Sequence, residues 1–415
     1  MNCRFCNEPL QNKFVDLINC PPSNSFLTAE QLNEPETYYP LTIYACNKCY
    51  LVQVDEYKKA TDIFNAEYVY FASYSTSWVE HAKLYVEDMI KRFGYNGDSY
   101  VIEIASNDGY LLQHFKDRGV PVLGIEPTQN TANVAILKGI PTITEYFGAE
   151  FADKLSSRKG DLLIGNNVLA HVPDIHDFVE GLKLALNEKG VVTMEFPHLL
   201  RLVEDCQFDT IYHEHYSYLS FTTVQKVFEA HGMEMFDVQE MHTHGGSLRI
   251  FAKHKNDSTK KITSNVAAML EKEKAVGITT IDYYKNFQPR VDQIKYSLLT
   301  FLIDQRRAGK KVIGYGAAAK GNTMLNYAGV KGNDLVQFVI DAAPSKQGKY
   351  LPGSHIPVYT EEKIREYKPD FIIILPWNLK EEIMEQLSYV SEWDCKFVVF
   401  IPSLQIYDPL VKALV

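Results

Sequence analysis

Between residues 100 and 200 the chain repeats one pattern: a short apolar run, then a longer polar stretch with helical spacing. The runs are "YVIEIA", "PVLGIEP", "DLLIGNNVLA" and "GVVTMEFP". They are strand-like, apolar at most positions, and separated by helix-like segments. That order predicts an α/β fold built on an open, mostly parallel sheet. The same order returns after residue 308 in "KKVIGYGAAAKG", "VQFVIDAAP", "DFIIILPW" and "KFVVFIP", so a second doubly wound sheet is expected. A polar, helix-prone stretch at about 257–308 bridges the two. Ahead of the first sheet, "YVYFASYSTSWVEHAKLYVEDMIKRF" places Val79, Leu84, Val86 and Met89 at spacings that suggest an amphipathic helix. Near the N-terminus "YPLTIYACNKCYLVQV" alternates like strands flanking a knuckle. Three parts result: residues 1–67, 68–256 and 257–415.

Length agrees with this division, since 415 residues exceed the ~250–300 that one hydrophobic core sustains. Composition is that of an ordinary globular protein, 46% hydrophobic and 23% charged. A net charge of −10 and the lack of a long basic run argue against a nucleic-acid partner. No apolar stretch of ~18 residues occurs, and "MNCRFCNEPL" has no signal-peptide core, so a cytoplasmic protein without a membrane partner is expected.

Seven cysteines, an odd number, make a disulfide framework a poor fit. Four of them form two C-x-x-C pairs, Cys3 with Cys6 and Cys46 with Cys49. Each pair can wrap one edge of a tetrahedral zinc ion, and four protein ligands would close its shell, making the metal structural. The alternatives are two inert knuckles or a redox pair.

In "VIEIASNDGYLL" a strand turns into a helix through Glu103, Ala105, Asn107 and Gly109. Nucleotide-type ligands sit at such turns, where small residues allow close approach and the helix offers free N–H groups. Only one of the three glycines of a dinucleotide fingerprint is present. Glu126, at the tip of the next run, is placed to accept ribose hydroxyls. An acidic residue at each strand end without a pyrophosphate cradle points to S-adenosylmethionine. A plain strand–helix corner with a capping Asn or Asp is the bland alternative. The third run ends on Asn166, Asn167 and, a little further, His171, over the same crevice.

After the fourth run comes "TIYHEHYSYLS", with Tyr212, His213, Glu214, His215 and Tyr216 in succession. A histidine beside a phenol and a carboxylate suits removal of a proton from carbon next to a carbonyl, because the ordinary histidine pKa of about 6.5 lies near neutrality. Glu214 could orient an imidazole or hold a substrate hydroxyl, and Tyr212 could donate to an enolate oxygen. A helix start with satisfied histidines, or a metal site, is the competing reading, although "HEH" lacks the spacing that puts two ligands on one helical face.

Taken together, the two cysteine pairs, "EIASNDGYLL", "GNNVLAHVPD", "YHEHYSYLS", "HGGSLRI" and "GYGAAAKGNTMLN…DAAPSKQGKYLPGSHIPV" resemble the sugar C-methyltransferases of deoxysugar biosynthesis, such as the tetronitrose C-3′-methyltransferases. The resemblance spans nearly the whole chain. It implies a zinc-binding domain, a Rossmann-like S-adenosylmethionine domain and a second Rossmann-like C-terminal domain that binds the sugar nucleotide. It implies C-3 methylation of a nucleotide-linked 4-keto-6-deoxysugar through an enolate, by a monomer. By resemblance His215 is the base, Tyr212 and Glu214 steady the enolate and substrate, His171 relays or backs up the proton, and Tyr70 is an active-site tyrosine with Tyr68 and Tyr74 as rivals. The "HGGSLR" stretch, His244 to Arg249, is expected to line the cleft or to form a close-packed glycine corner. In the third part the turn from Gly314 to Thr323, with Gly316 and Lys320, resembles a phosphate cradle. Asn322, Asp341 and Lys346 are expected beside the diphosphate there, and a vestigial fold whose turn binds nothing is the alternative. Rival readings are an O- or N-methyltransferase, or a non-catalytic nucleotide-binding protein.

Overall fold

The computed structural model describes residues 1–59, 61, 71–155, 158–332 and 334–409. They fall into two compact units, each drawn from three chain segments. The first comprises Met1–Asn12, Ala45–Leu200 and His215–Tyr283; the second comprises Lys13–Tyr44, Arg201–Glu214 and Tyr284–Val415. The chain opens with strands β1 (Asn12–Cys20), β2 (Tyr39–Ala45) and β3 (Val52–Val54).

The first unit is built on a seven-stranded sheet. Its strands are β4 (Val101–Ile104), β5 (Val122–Ile125), β6 (Thr142–Ile143), β7 (Gly160–Asn166) and β8 (Leu186–Pro197), with β10 (Met233–Met241) and β11 (Ser247–His254). The order is β10-β11-β8-β7-β4-β5-β6. From β8 to β6 every neighbour is parallel. The last two join antiparallel, β11 on β8 and β10 on β11. Successive residues of β4 and β7 serve opposite faces. Ile102, Ile104 and Leu163 join one core with Phe178 and Phe196, while Val101, Leu162 and Ile164 join the other with Tyr85, Met89 and Phe115. Two buried faces explain why these strands read as largely apolar runs. Because β5 and β7 flank β4 on opposite sides, the connections diverge there and leave a crevice at the strands' carboxyl ends. A short strand, β9 (Ser217–Tyr218), pairs antiparallel with β3.

Leading into this sheet is the helix Thr76–Phe93, started by Ser75, whose hydroxyl accepts the Trp78 N–H, and ended by Gly94 at φ 74°. Its buried face is Ala82, Tyr85, Val86 and Met89. Leu84, expected on that face, is instead 56% exposed. Two residues from both Ala82 and Val86, it projects from the far side of the 3.6-residue period.

In the second unit a six-stranded sheet repeats the plan. It contains β12 (Val312–Tyr315), β13 (Val339–Ile340), β14 (Val358–Tyr359), β15 (Phe371–Ile374), β16 (Lys396–Val399) and β17 (Gln405–Tyr407), ordered β14-β13-β12-β15-β16-β17. All pairs are parallel except β16 with β17. Its core draws on Ile313, Tyr315, Ile340, Ile372, Ile374 and Phe397. The two long helices of the polar stretch separate, Ser264–Val276 going with the first unit and Phe287–Arg307 with the second. Among the described residues, no helix is long and apolar enough to cross a membrane.

Candidate active site and metal centre

The two cysteine pairs meet. Cys3 Sγ lies 3.5 Å from Cys49 Sγ, Cys6 Sγ lies 3.4 Å from Cys46 Sγ, and all four sulfurs fall within 4.8 Å of one another. Zn–S bonds of about 2.3 Å at tetrahedral angles put sulfurs ~3.8 Å apart, so the four fit one zinc ion. Both knuckles have the same backbone. The N–H four residues after the first cysteine returns to that cysteine's carbonyl, Asn7 to Cys3 and Tyr50 to Cys46, and both residues are left-handed at φ 58° and 68°. Gln53 Nε2 donates to Cys3 Sγ at 3.2 Å and the Lys48 N–H to Cys46 Sγ at 3.4 Å, as donors around thiolate ligands do. The first knuckle is tied to the sheet's helices. His176 Nε2 is 2.6 Å from the Phe5 carbonyl, and Arg4 donates to the Pro173 carbonyl at 2.8 Å.

At the carboxyl edge of the first sheet, the turn after β4 carries three consecutive-odd residues in the left-handed region: Ala105 at φ 53°, Asn107 at 51° and Gly109 at 75°. At Gly109 the left-handed backbone strains any other residue, and a Cβ there would also press on Ile140 Cδ1 at 2.4 Å. Glu103, Asp108 and Glu126 converge here and are all buried. Burial pushes the Glu103 carboxyl well above the usual range, and the negative neighbours Asp108 and Glu126 push it further. Glu126 is also raised by burial, against donors that hold it down. Those donors are the Asn107 N–H, on Oε2 at 2.9 Å, and the Thr128 N–H, on Oε1 at 2.8 Å. Glu126 thus braces its own turn while keeping spare lone pairs.

Buried polar atoms wait around this turn. Glu103 Oε2, Ser106 Oγ and both side-chain polar atoms of Asn166 have no partner among the described residues. Asn167, left-handed at φ 56°, is fixed by its N–H on the Glu195 carbonyl at 2.7 Å. Unused acceptors and donors beside a carboxylate cluster suit a cationic ligand with hydroxyls, and S-adenosylmethionine, with its sulfonium, ammonium and ribose diol, is of that kind.

One strand further, Glu195 forms a hub that the sequence did not reveal. It is fully buried, accepts from Arg249 at 2.7 Å and from Thr243 Oγ1 at 2.8 Å, and stands 3.0 and 3.1 Å from His81 Nε2. Burial alone would raise its pKa; His81, Arg249 and Thr243 outweigh that and bring it down to about 2. Arg249 faces Glu195 directly across β11 and β8, so the "HGGSLR" stretch has an identifiable anchor. Thr243 lies on its approach and His244, left-handed at φ 56°, sets its Nε2 3.1 Å from Asn167 Nδ2. The Trp78 ring lies 5.0 Å from that of His81 and 4.9 Å from that of His244.

The "YHEHYSY" segment is a turn and loop that runs into β9 at Ser217, not a helix start. In the first unit His215 meets His171 edge to face, ring centroids 4.6 Å apart, and the Tyr218 ring edge-on at 6.2 Å. Tyr216 is fully buried under Arg4, its hydroxyl on the Lys58 carbonyl at 2.9 Å. In the second unit His213 donates from Nε2 to the Pro40 carbonyl at 3.2 Å and packs against Tyr39. Glu214 is buried and accepts from Asn24. Tyr212 is half-buried beside Ile211, whose carbonyl accepts from Thr323 at 3.0 Å. Tyr70 and Tyr68 lie outside the described residues; Tyr74 is 63% exposed.

The turn of the second unit is capped by Asp341, which accepts the N–H groups of Ala317 at 2.7 Å and Ala343 at 2.8 Å. Lys346 reaches the Ala317 carbonyl at 3.0 Å and Asp341 at 3.4 Å. Gly316 is left-handed at φ 86°, and a Cβ there would strike Pro376 at 2.4 Å. Asn322 is buried with Nδ2 unpartnered among the described residues. Lys320 donates to Asn378 at 2.7 Å over the Trp377 ring, whose N–H holds Asp209 at 2.8 Å. Burial pushes the Asp209 carboxyl up to about 6 even with Lys320 and Trp377 pulling it down.

Comparison with known proteins agrees with this assembly. Residues 3–64 match the family model of a zinc binding domain, 78–238 that of a methyltransferase domain, and 242–402 that of a C-methyltransferase C-terminal domain. Solved structures similar to part of the chain include the magnesium protoporphyrin IX methyltransferase of Synechocystis, 14% identical over 42% of this chain and 79% of that one at a TM-score of 0.33. Another is the PH0226 protein of Pyrococcus horikoshii, 14% identical over 45% and 95% at 0.38. Among curated proteins, the C-methyltransferase NovU of Streptomyces niveus is 33% identical over 96% of this chain and 95% of its own. With that identity end to end, the chain belongs to the C-methyltransferase family and is an S-adenosylmethionine-dependent enzyme with an N-terminal zinc-binding domain.

Proposed function

We propose that the enzyme methylates C-3 of a nucleotide-linked 4-keto-6-deoxysugar. A carbon becomes a nucleophile toward a methyl group only once its proton is gone, and a ketone on the neighbouring carbon makes that proton removable. The reading rests foremost on the His171–His215 pair, two imidazoles 4.6 Å apart beyond the carboxyl end of β7. His215 takes the C-3 proton and His171 shares or relays it. Tyr212 donates to the oxygen that becomes the enolate, and Glu214 holds a sugar hydroxyl. S-adenosylmethionine supplies an electrophilic methyl on its sulfonium sulfur. The C–C bond forms as the S–CH₃ bond breaks, and the C-3 proton stays on the imidazole until solvent removes it.

Glu103, Ala105, Asn107, Gly109, Glu126, Asn166 and Asn167 would hold the cofactor. Gly316, Lys320, Asn322, Asp341 and Lys346 would face the substrate's diphosphate, Lys320 and Lys346 from positions already braced by Asn378 and Asp341. The resemblance supports a cytoplasmic monomer that contains a zinc-binding part at 1–67, the methyltransferase part at 68–256 and a sugar-nucleotide part at 257–415.

The test is mass spectrometry of the purified enzyme with S-adenosylmethionine and a panel of TDP- and GDP-linked 4-keto-6-deoxysugars in heavy water. One sugar is expected to gain a methyl on carbon. His215→Ala should cut turnover roughly 10²–10⁴-fold and abolish deuterium uptake at C-3. Methyl gain on oxygen or nitrogen, without exchange at carbon, would move the enzyme to the O- or N-methyltransferases.

A further inference from the structure

Lys320 stands where a positive charge is unfavourable. It lies in the first turn of the helix Ala319–Ala328, the end at which the helix's own dipole is positive. It is half-buried, and burial draws its ammonium below the ordinary lysine range. The group it donates to, Asn378 Oδ1 at 2.7 Å, is neutral. Among the described residues no carboxylate makes a direct ion pair with it.

What answers the charge is indirect. The ammonium sits 4.8 Å from the centre of the Trp377 ring, and the same indole donates its N–H to Asp209 Oδ2 at 2.8 Å. A carboxylate on the N–H pushes electron density into the ring, and the ring's negative face is what attracts the cation. Asp209 is fully buried in the turn Phe208–Thr210. That turn is fixed to the lysine's helix, because Thr323 Oγ1, three residues after Lys320, donates to the Ile211 carbonyl at 3.0 Å.

Among the described residues, Asp209 is the charged group that acts on Lys320, drawing its proton affinity back up against burial. Asp341 and Lys346, beside the neighbouring turn, are engaged with each other and with Ala317. Asp209 also bears on Cys206, whose thiol burial pushes up to about 12, so that it stays uncharged. With its own value at about 6, Asp209 is mostly ionised at neutral pH.

We propose that Asp209 is a positioning residue of the substrate lobe: through the indole of Trp377 it keeps Lys320 an ammonium ion held at one spot, able to bind the diphosphate. This rests on the role given to Lys320 above. A carboxylate in direct contact would occupy the ammonium's donors and cancel its charge toward an anion. One set behind an aromatic ring stabilises the charge and leaves donors for phosphate oxygens.

The experiment uses the full-length, zinc-loaded enzyme with Asp209→Asn, Lys320→Arg and both together. Asparagine keeps the size and an acceptor for Trp377 and removes the charge. Acetylation of Lys320 by trace acetic anhydride, read by peptide mass spectrometry from pH 7 to 9.5, reports how much of it is the uncharged amine. Thymidine diphosphate and guanosine diphosphate, titrated by calorimetry at pH 7 and pH 9, report anion binding. Asp209→Asn is expected to speed Lys320 acetylation at pH 8 about tenfold, with the other lysines unchanged. Between pH 7 and pH 9 it should lose about tenfold more diphosphate affinity than the wild type loses. In the Lys320→Arg background, whose guanidinium keeps its proton throughout, Asp209→Asn should leave the pH dependence of binding unmoved. Asp209→Ser, which can also accept from Trp377, carries the test if Asp209→Asn folds poorly. Equal Lys320 acetylation with and without the carboxylate would overturn the proposal. So would a wild-type Lys320 that already reacts as a free amine at pH 7, or the same extra loss of affinity in the arginine background. The labelling needs no ligand. A wild type that binds neither diphosphate therefore refutes the diphosphate reading of Lys320, while the acetylation still decides Asp209.

Discussion

Glu103 is a carboxylate placed where a carboxylate is costly: fully buried, with Asp108 and Glu126 close by and one oxygen unpartnered. A group whose pKa is raised in the folded state stabilises the protein at low pH and loses that contribution as pH climbs through the folded value. Near neutrality the cofactor-free enzyme therefore works against Glu103, and a cationic ligand relieves it. Glu103→Gln should raise the melting temperature of the free enzyme by about 2 °C or more and weaken S-adenosylmethionine roughly tenfold. Thermal scans with and without the cofactor, beside calorimetry, check both halves; a lower midpoint in the free variant would contradict the argument. Glu195 carries the opposite sign. Its pKa, lowered from 4.5 to about 2, gives stability that is complete above 4.5 and drains away as pH falls toward 2. The contribution is about 3 kcal/mol. Acid unfolding followed by circular dichroism should show that slope in the wild type and its loss in Glu195→Gln, which also starts out less stable because Arg249 is left without its partner. Of these two, Glu103 was legible in the sequence as a strand-end acid. Glu195 was not, because its meaning comes from His81, Thr243 and Arg249, which lie far off in the chain, and a lone Glu inside "TMEFP" signals nothing by itself.

At the scale of elements, periodicity was a good guide wherever burial was two-sided. The eight largely apolar runs all contain strands, since a strand covered on both faces is apolar at most of its positions, and Glu103 and Glu195 are exceptions. The approach helix was legible as a helix but not in phase, as Leu84 shows. Ala82 and Tyr85, which do face the core, are a small residue and a phenol, and neither stands out as an apolar marker. The helix Phe221–Ala230 hides another long-range device. Glu273, fully buried, accepts the N–H groups of Phe221 and Thr222 at 2.6 and 2.8 Å and stands 2.6 Å from His198 Nε2. A carboxylate at a helix N-terminus answers its positive end, so the loop that presents His215 to Ser220 runs into a fixed point. The cysteine knuckles were legible from spacing alone, but their backbone was not. A tyrosine at φ 68° costs about 1–2 kcal/mol over glycine. Tyr50→Asn should accordingly keep one zinc per chain. Tyr50→Val, β-branched and poorly suited to that region, should lose zinc readily when titrated with a chelator and a colorimetric reporter. Equal retention in the two would show that the turn tolerates any backbone.

For the whole molecule, the chain order of the functional parts was readable and the compact units were not. Composition and strand order mark two sheets behind a cysteine domain, and both sheets are present. What no local pattern announces is that residues 13–44 and 201–214 belong with the unit that begins at Tyr284. Phe14 shows the physical reason. It stacks on Phe287 at 4.4 Å and meets Tyr284 edge-on at 5.8 Å, so its burial depends on residues 270 or more positions later. On a ribosome adding about 5–20 residues each second, the 240 residues separating Tyr44 from Tyr284 take roughly ten to fifty seconds to emerge. For that interval "FVDLIN" in β1 is paired with β2 at most, while the aromatic rings of Tyr284 and Phe287 that cover Phe14 have not yet been synthesised, the kind of segment that chaperones hold and that aggregates when they do not. A messenger that stops short of residue 284 would therefore yield a chain whose residues 13–44 and 201–214 never meet the residues they pack with.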